Sequence, residues 1–243
     1  MQVGLHDAEK EYLKHKTFPN YALMKISAYH KARGDSVEWW TPLLHYDIVY
    51  SSKIFDFTPE NPYLPPDAIR GGTGYTDIPI SRTLPLEIDA VFPDYSIYPE
   101  CDYAIGYITR GCPNNCPWCV VPAKEGGIKP YRTWKELVRP DTNKLVLMDN
   151  NILACEYGIT QLESLIGSGY AIDLNQGMDA RLVDERIASQ SITERALSLP
   201  KLTTSERQII NELLISNDEA KQRREWYPIT GDLLPNITLS FNK

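Results

Sequence analysis

The sequence predicts an α/β chain built on parallel strands, and three observations lead there. Between residues 102 and 182, short apolar runs end repeatedly in polar residues, a strand-then-loop grammar. The first hundred residues open with a strand, a helix and two more strands, a βαββ-like order that suggests a small α/β layer. The tail beyond residue 186 changes to charged and apolar residues at helical spacing. Three segments follow: an α/β layer with an irregular connection over 1–100, a core over 101–185, and a mainly helical tail over 186–243.

Each element has its local reason. Met1 to Leu5 reads as a short strand. Pro19-Asn20 precedes a helix with Leu23, Ile26 and Tyr29 on one face and Gly34 placed to stop it. Val37 to Trp40 and Tyr46 to Tyr50 read as strands. From Phe57 to Pro99 prolines and glycines are dense, so an ordered irregular connection is expected, and Gly71 to Gly74 is read as a plain loop. Tyr103 to Thr109 is a strand leading into a cysteine-rich loop. Lys144 to Met148 is a buried strand ending in Asp149-Asn150-Asn151. Ile159 to Ile166 reads as a helix, and Tyr170 to Leu174 as a strand ending in Asn175-Gln176-Gly177. In parallel sheets and barrels, polar residues at the carboxyl ends of strands mark the edge where ligands bind. An amphipathic helix is expected over 205–225, carrying Ile209, Ile210, Leu213 and Leu214, with a weak strand at Ile237 to Phe241.

Composition bounds the function. A hydrophobic content of 42% and a charged content of 23% are ordinary for a globular domain. No apolar run is long enough for a bilayer, and the N-terminus lacks the pattern of a signal peptide, so a cytoplasmic protein without a membrane partner is expected. A net charge of -7 argues against broad nucleic-acid binding without excluding a local basic groove. Five cysteines, three of them clustered, suit metal binding in a reducing compartment better than a disulfide framework.

The cluster is Cys112-Pro113-Asn114-Asn115-Cys116-Pro117-Trp118-Cys119. Its spacing puts three thiols on one short loop, and the two prolines restrict that loop's freedom. Three thiolates leave one iron of a four-iron, four-sulfur cluster open for a small molecule. A structural zinc would need a fourth ligand from Cys101 or Cys155, neither of which has the paired spacing of a zinc ribbon.

With a strand before it and Trp118 ahead of the third cysteine, this loop resembles the radical S-adenosylmethionine signature. The resemblance covers Cys101 to Leu182 and implies a partial parallel (βα) barrel of radical S-adenosylmethionine type, incomplete at its C-terminal side. It implies a 4Fe-4S cluster on Cys112, Cys116 and Cys119, with S-adenosyl-L-methionine chelating the open iron. The implied enzyme cleaves that cofactor reductively and abstracts hydrogen from an unknown substrate, with electrons from a donor such as a flavodoxin or ferredoxin. Trp118 is read as flanking the adenine or else shielding the cluster, and Asp149 and Asn150 as cofactor contacts or else strand-end turn residues. Asn175 and Gln176 are read as cofactor or substrate contacts, and Arg181 as pairing with a carboxylate of the cofactor or equally in a structural salt bridge. Lys124 and Lys129 follow the loop and are read either as charge for the cluster or as solvated surface. The front layer is similar to that of poorly characterised bacterial and phage-like radical proteins, but lacks the Asp-x-His-x-x-Gly motif, so cobalamin is not implied. The alternatives are a non-catalytic cluster-binding or electron-transfer protein, and a zinc-stabilised interaction module.

Overall fold

The computed structural model describes residues 1–13, 18–80, 83–166, 168–176, 179–183 and 237–239. The chain forms two compact units, Met1–Asp102 and Tyr103–Lys243. Each has its own parallel sheet, so the architecture is mixed α/β.

In the first unit, β1 (Gln2–Asp7) leads into α1 (Ala8–Leu13). Val3 and Leu5 point to one face, Gly4 and His6 to the other, and all four are buried. A strand buried on both faces belongs in the middle of a parallel sheet, and β1 pairs in parallel with both β2 (Ser36–Trp39) and β3 (Ile48–Ser52). Between β1 and β2 lies α2 (Tyr21–Ala32). It begins where the Asn20 side chain accepts the Leu23 N–H at 3.2 Å, an N-cap. It ends before Gly34, whose φ of 82° suits a residue without Cβ. Leu23, Met24 and Ile26 are buried, each worth about 1.5–3 kcal/mol of transfer free energy. Lys25 is also buried on α2, and its ammonium is held by Asp89 at 3.0 Å.

The stretch expected to be wholly irregular contains a fourth strand, β4 (Ile69–Gly71), and a short helix, α3 (Leu86–Asp89). β4 pairs in parallel with Tyr50–Ser52 of β3. Three residues among prolines and glycines carry too little periodicity to betray it; the pairing comes from β3. The sheet order is β2-β1-β3-β4, so the chain reverses direction of growth between β1 and β3.

A row of hydrogen bonds crosses this carboxyl edge. His6 and Ser51 sit opposite each other in register, with Nδ1 and Oγ 2.7 Å apart. His6 Nε2 lies 2.7 Å from Glu11 Oε2, and Ser51 Oγ lies 2.7 Å from the Tyr75 hydroxyl. Beside it the Tyr98 hydroxyl donates to Asp7 Oδ2 at 2.6 Å, and Asn20 Nδ2 donates to Ser52 Oγ at 2.7 Å.

The second unit has β5 (Ala104–Gly106), β8 (Lys144–Leu147), β9 (Ala171–Leu174) and β10 (Ile237–Leu239), all parallel and adjacent in chain order. Between β5 and β8 come β6 (Thr109–Arg110), α4 (Val121–Lys124) and β7 (Lys129–Pro130), with β6 and β7 paired antiparallel. α5 (Glu156–Leu165) joins β8 to β9. Its Leu162 and Leu165 pack with Ala104, Leu145, Leu147 and Leu174 to form the core on one face of the sheet. The single strand expected from Tyr103 to Thr109 is divided into β5 and β6, because the N–H groups of Ile108 and Thr109 turn to a side chain instead of a strand. The weak strand near the end of the chain is β10, which pairs with β9 and gives the sheet a fourth member. The helix expected over 205–225 lies outside the described residues. The parallel strands form an open sheet as described, and a closed barrel is not among their pairings.

Candidate functional site

The site begins with Asp149, the first residue beyond β8 but one, held 2% exposed. Its carboxylate accepts the Ile108 N–H at 3.1 Å, the Thr109 hydroxyl at 2.7 Å and the Thr109 N–H. Burial pushes this carboxyl up to about 6, against the pull of the hydrogen bonds from Thr109 and Ile108. Asp149 thereby fixes the point at which β5 gives way to the cysteine loop.

Glu125 closes the loop from its other end. One oxygen binds the Arg110 guanidinium at 2.8 Å; the second accepts the Gly111 N–H at 2.8 Å and the Asn150 amide at 3.1 Å. Arg110 lies over the Tyr107 ring at 4.0 Å. Gly111 has φ of 83°, and a Cβ there would meet the Gly127 carbonyl oxygen at 2.3 Å, so the loop can enter only through glycine. The Cys112 N–H then donates to the Gly126 carbonyl at 3.2 Å.

Within the loop the three cysteines differ in burial. Cys112 is half-buried, and its sulfur takes the Asn151 amide at 3.9 Å. Cys116 starts a tight turn closed by the Cys119 N–H on the Cys116 carbonyl at 3.0 Å, and Cys119 is exposed. Asn114 reaches Asp179 at 3.3 Å, and Asp179 holds Arg181 through two contacts of 2.8 and 2.6 Å. The Asp179 contact, with smaller contributions from Cys116 and Cys112, raises the Arg181 guanidinium above its usual range. Arg181 is thus near the cysteine loop.

This arrangement corrects the expected metal chemistry. Cys112, Cys116 and Cys119 all belong to the described residues, and among those residues no group of three or more His, Cys, Asp or Glu side chains could hold a metal ion. A 4Fe-4S cluster needs its thiolates converging on one centre, and among the described residues the three cysteines form no such group. The residues therefore do not fit the cluster, and S-adenosyl-L-methionine has no open iron to chelate. The reading as a radical S-adenosylmethionine enzyme, with reductive cofactor cleavage and hydrogen abstraction, is overturned on that ground. So are the non-catalytic cluster or electron-transfer protein and the zinc-stabilised module, which need a metal-holding set too.

The remaining expected residues fall as follows. Trp118 is 87% exposed. Asn150 binds Glu125. Asn175 follows β9, where its N–H donates to the Leu147 carbonyl at 3.0 Å, and Gln176 beside it is exposed. Lys124 lies on α4, where burial pushes its ammonium down from the ordinary lysine value, and Lys129 is exposed in β7.

Two residues not singled out from the sequence complete the edge. Asn151 is 2% exposed, and its Oδ1 has no hydrogen-bond partner. Asp173, in the middle of β9, also has a buried Oδ1 without a partner, and burial alone raises its carboxyl. A carboxylate inside the run Tyr170-Ala171-Ile172-Asp173-Leu174 is a visible signal, since apolar strands rarely carry one without use. Asn151 had no such signal, as turn-forming asparagines commonly end strands.

No protein-family model matches the chain, and neither a curated protein nor a solved structure matches it. No described helix is long and apolar enough to cross a membrane.

Proposed function

We propose that the second unit binds a small hydrogen-bond-donating molecule at the carboxyl edge of its sheet, beside the cysteine loop and the end of β8. The observation that carries this reading is Asn151 Oδ1, a buried acceptor with no partner. Leaving such an atom unpaired costs about 1–3 kcal/mol, a cost that a ligand hydroxyl, amine or amide would offset. The position supports it, because ligands of parallel sheets gather at strand carboxyl ends. The framework beside Asn151 is already hydrogen-bonded through Asp149 and Glu125, so this edge is pre-organised.

The three-cysteine spacing and the consecutive parallel strands also support an architectural kinship with the partial barrels of radical S-adenosylmethionine proteins. This kinship concerns the course of the chain and leaves the chemistry aside. Five free thiols suit a reducing compartment, which favours the cytoplasm.

Ligand-detected NMR with ethanolamine, glycerol and acetamide as donor-bearing probes tests the binding reading. At least one should bind the native chain, and Asn151→Leu should weaken it tenfold or more, about 1.4 kcal/mol, with the circular dichroism unchanged. Binding that ignores the substitution, or no binding by any probe up to molar concentration, overturns it.

A further inference from the structure

The turn Cys116-Pro117-Trp118-Cys119 has a property of its own, independent of the ligand proposed above. Its ends are joined by the Cys119 N–H on the Cys116 carbonyl at 3.0 Å. A four-residue turn of this kind holds its end Cα atoms within about 7 Å. A disulfide spans Cα atoms about 4.4–6.8 Å apart. Pro117, second in the turn, pre-sets the backbone for it. Both cysteines are free thiols, Cys119 exposed and Cys116 partly so. The other three are less suited: Cys101 is buried, the Cys112 sulfur is engaged by Asn151, and Cys155 is the N-cap of α5, remote in sequence.

We propose that Cys116 and Cys119 form a reversible disulfide by exchange with low-molecular-weight disulfides such as glutathione disulfide. Cys119, the accessible thiol, attacks as its thiolate, joining one glutathione in a mixed disulfide and expelling the other as a thiolate. Cys116 then attacks the Cys119 sulfur, closing the protein disulfide and expelling the second glutathione. Two electrons pass from the protein dithiol to glutathione disulfide, and the two protein thiol protons end on the two glutathione thiols. The turn bounds the separation of the two Cα atoms, while the sulfurs themselves are unbonded and apart, so the second step needs side-chain rotation and adjustment within the loop.

The full chain is equilibrated with glutathione and glutathione disulfide over a range of ratios, quenched with acid, alkylated and measured by intact mass and peptide mapping. The expected result is a two-thiol oxidation that maps to Cys116 and Cys119 and reverses on adding reduced glutathione. Cys119→Ser should abolish it, Cys116→Ser should stop at a glutathione adduct on Cys119, and Cys112→Ser should leave it unchanged. A disulfide that uses Cys112, Cys101 or Cys155, or five alkylatable thiols remaining in glutathione disulfide alone, overturns the proposal. Cys119 is exposed, so its serine variant is expected to fold, and circular dichroism checks this.

Discussion

Asp149 contributes a pH dependence to the stability of the second unit. Its carboxyl titrates near 6 in the fold against an ordinary 3.8. The folded chain therefore binds more protons than the unfolded chain between about pH 4 and pH 6, and stability falls as pH rises through that window. Above about pH 6 both states are ionised and the contribution is level. The total change is on the order of 3 kcal/mol. In urea unfolding from pH 4 to pH 7, the stability of the native chain relative to Asp149→Asn should fall through this window; a native-minus-variant difference that stays level or rises refutes the assignment. Asp149 could be read from the sequence because it ends an apolar run, the place where parallel strands present polar groups. Its partner atoms could not, since the Ile108 and Thr109 amides lie about forty residues away in sequence. The cysteine ligand set failed for a related reason. Spacing fixes how far apart thiols can be, but not whether their sulfurs gather on one centre, and among the described residues they form no metal-holding group.

At the scale of elements, the loop between β6 and β7 depends on its entrance. Gly111→Ala adds a Cβ at 2.3 Å from the Gly127 oxygen on top of a left-handed backbone. Gly126 shares the left-handed backbone, with φ of 74°, but has open space around it. Gly126→Ala should therefore cost about 1 kcal/mol and Gly111→Ala at least about 2 kcal/mol, by chemical unfolding. Equal costs would show that backbone conformation alone matters. Faster alkylation of Cys112 in Gly111→Ala should accompany the loss, because Gly111 positions the Cys112 backbone. Elements with a long apolar run or a cap were legible: β8, β9, α5, and α2 with Asn20 before it and Gly34 after it. β4 was not, because three residues next to glycines borrow their conformation from β3. The division of β5 from β6 was not either, because it comes from a distant carboxylate.

The whole molecule is two units with separate sheets, and the buried residues of the first, among them Val3, Leu5, Leu23, Met24, Val49 and Tyr98, all lie before Asp102. A chain of residues 1–102 should therefore fold alone, with dispersed amide resonances and a cooperative urea transition; a random-coil spectrum would refute this. The switch in strand order at β1 and β3 was beyond the sequence, where the βαββ-like order shows which strands exist but not which neighbours they choose. The row from Glu11 through His6 and Ser51 to Tyr75 crosses that switch. An ionised Glu11 only accepts, so with a neutral imidazole the Nε2 hydrogen points to it, Nδ1 takes the Ser51 hydrogen, and Ser51 takes that of Tyr75. The hydrogens then all run in one sense, like a file of compass needles. Ser51 both donates and accepts in that file, so its single hydroxyl ties the phenol on one side of the sheet edge to the imidazole on the other.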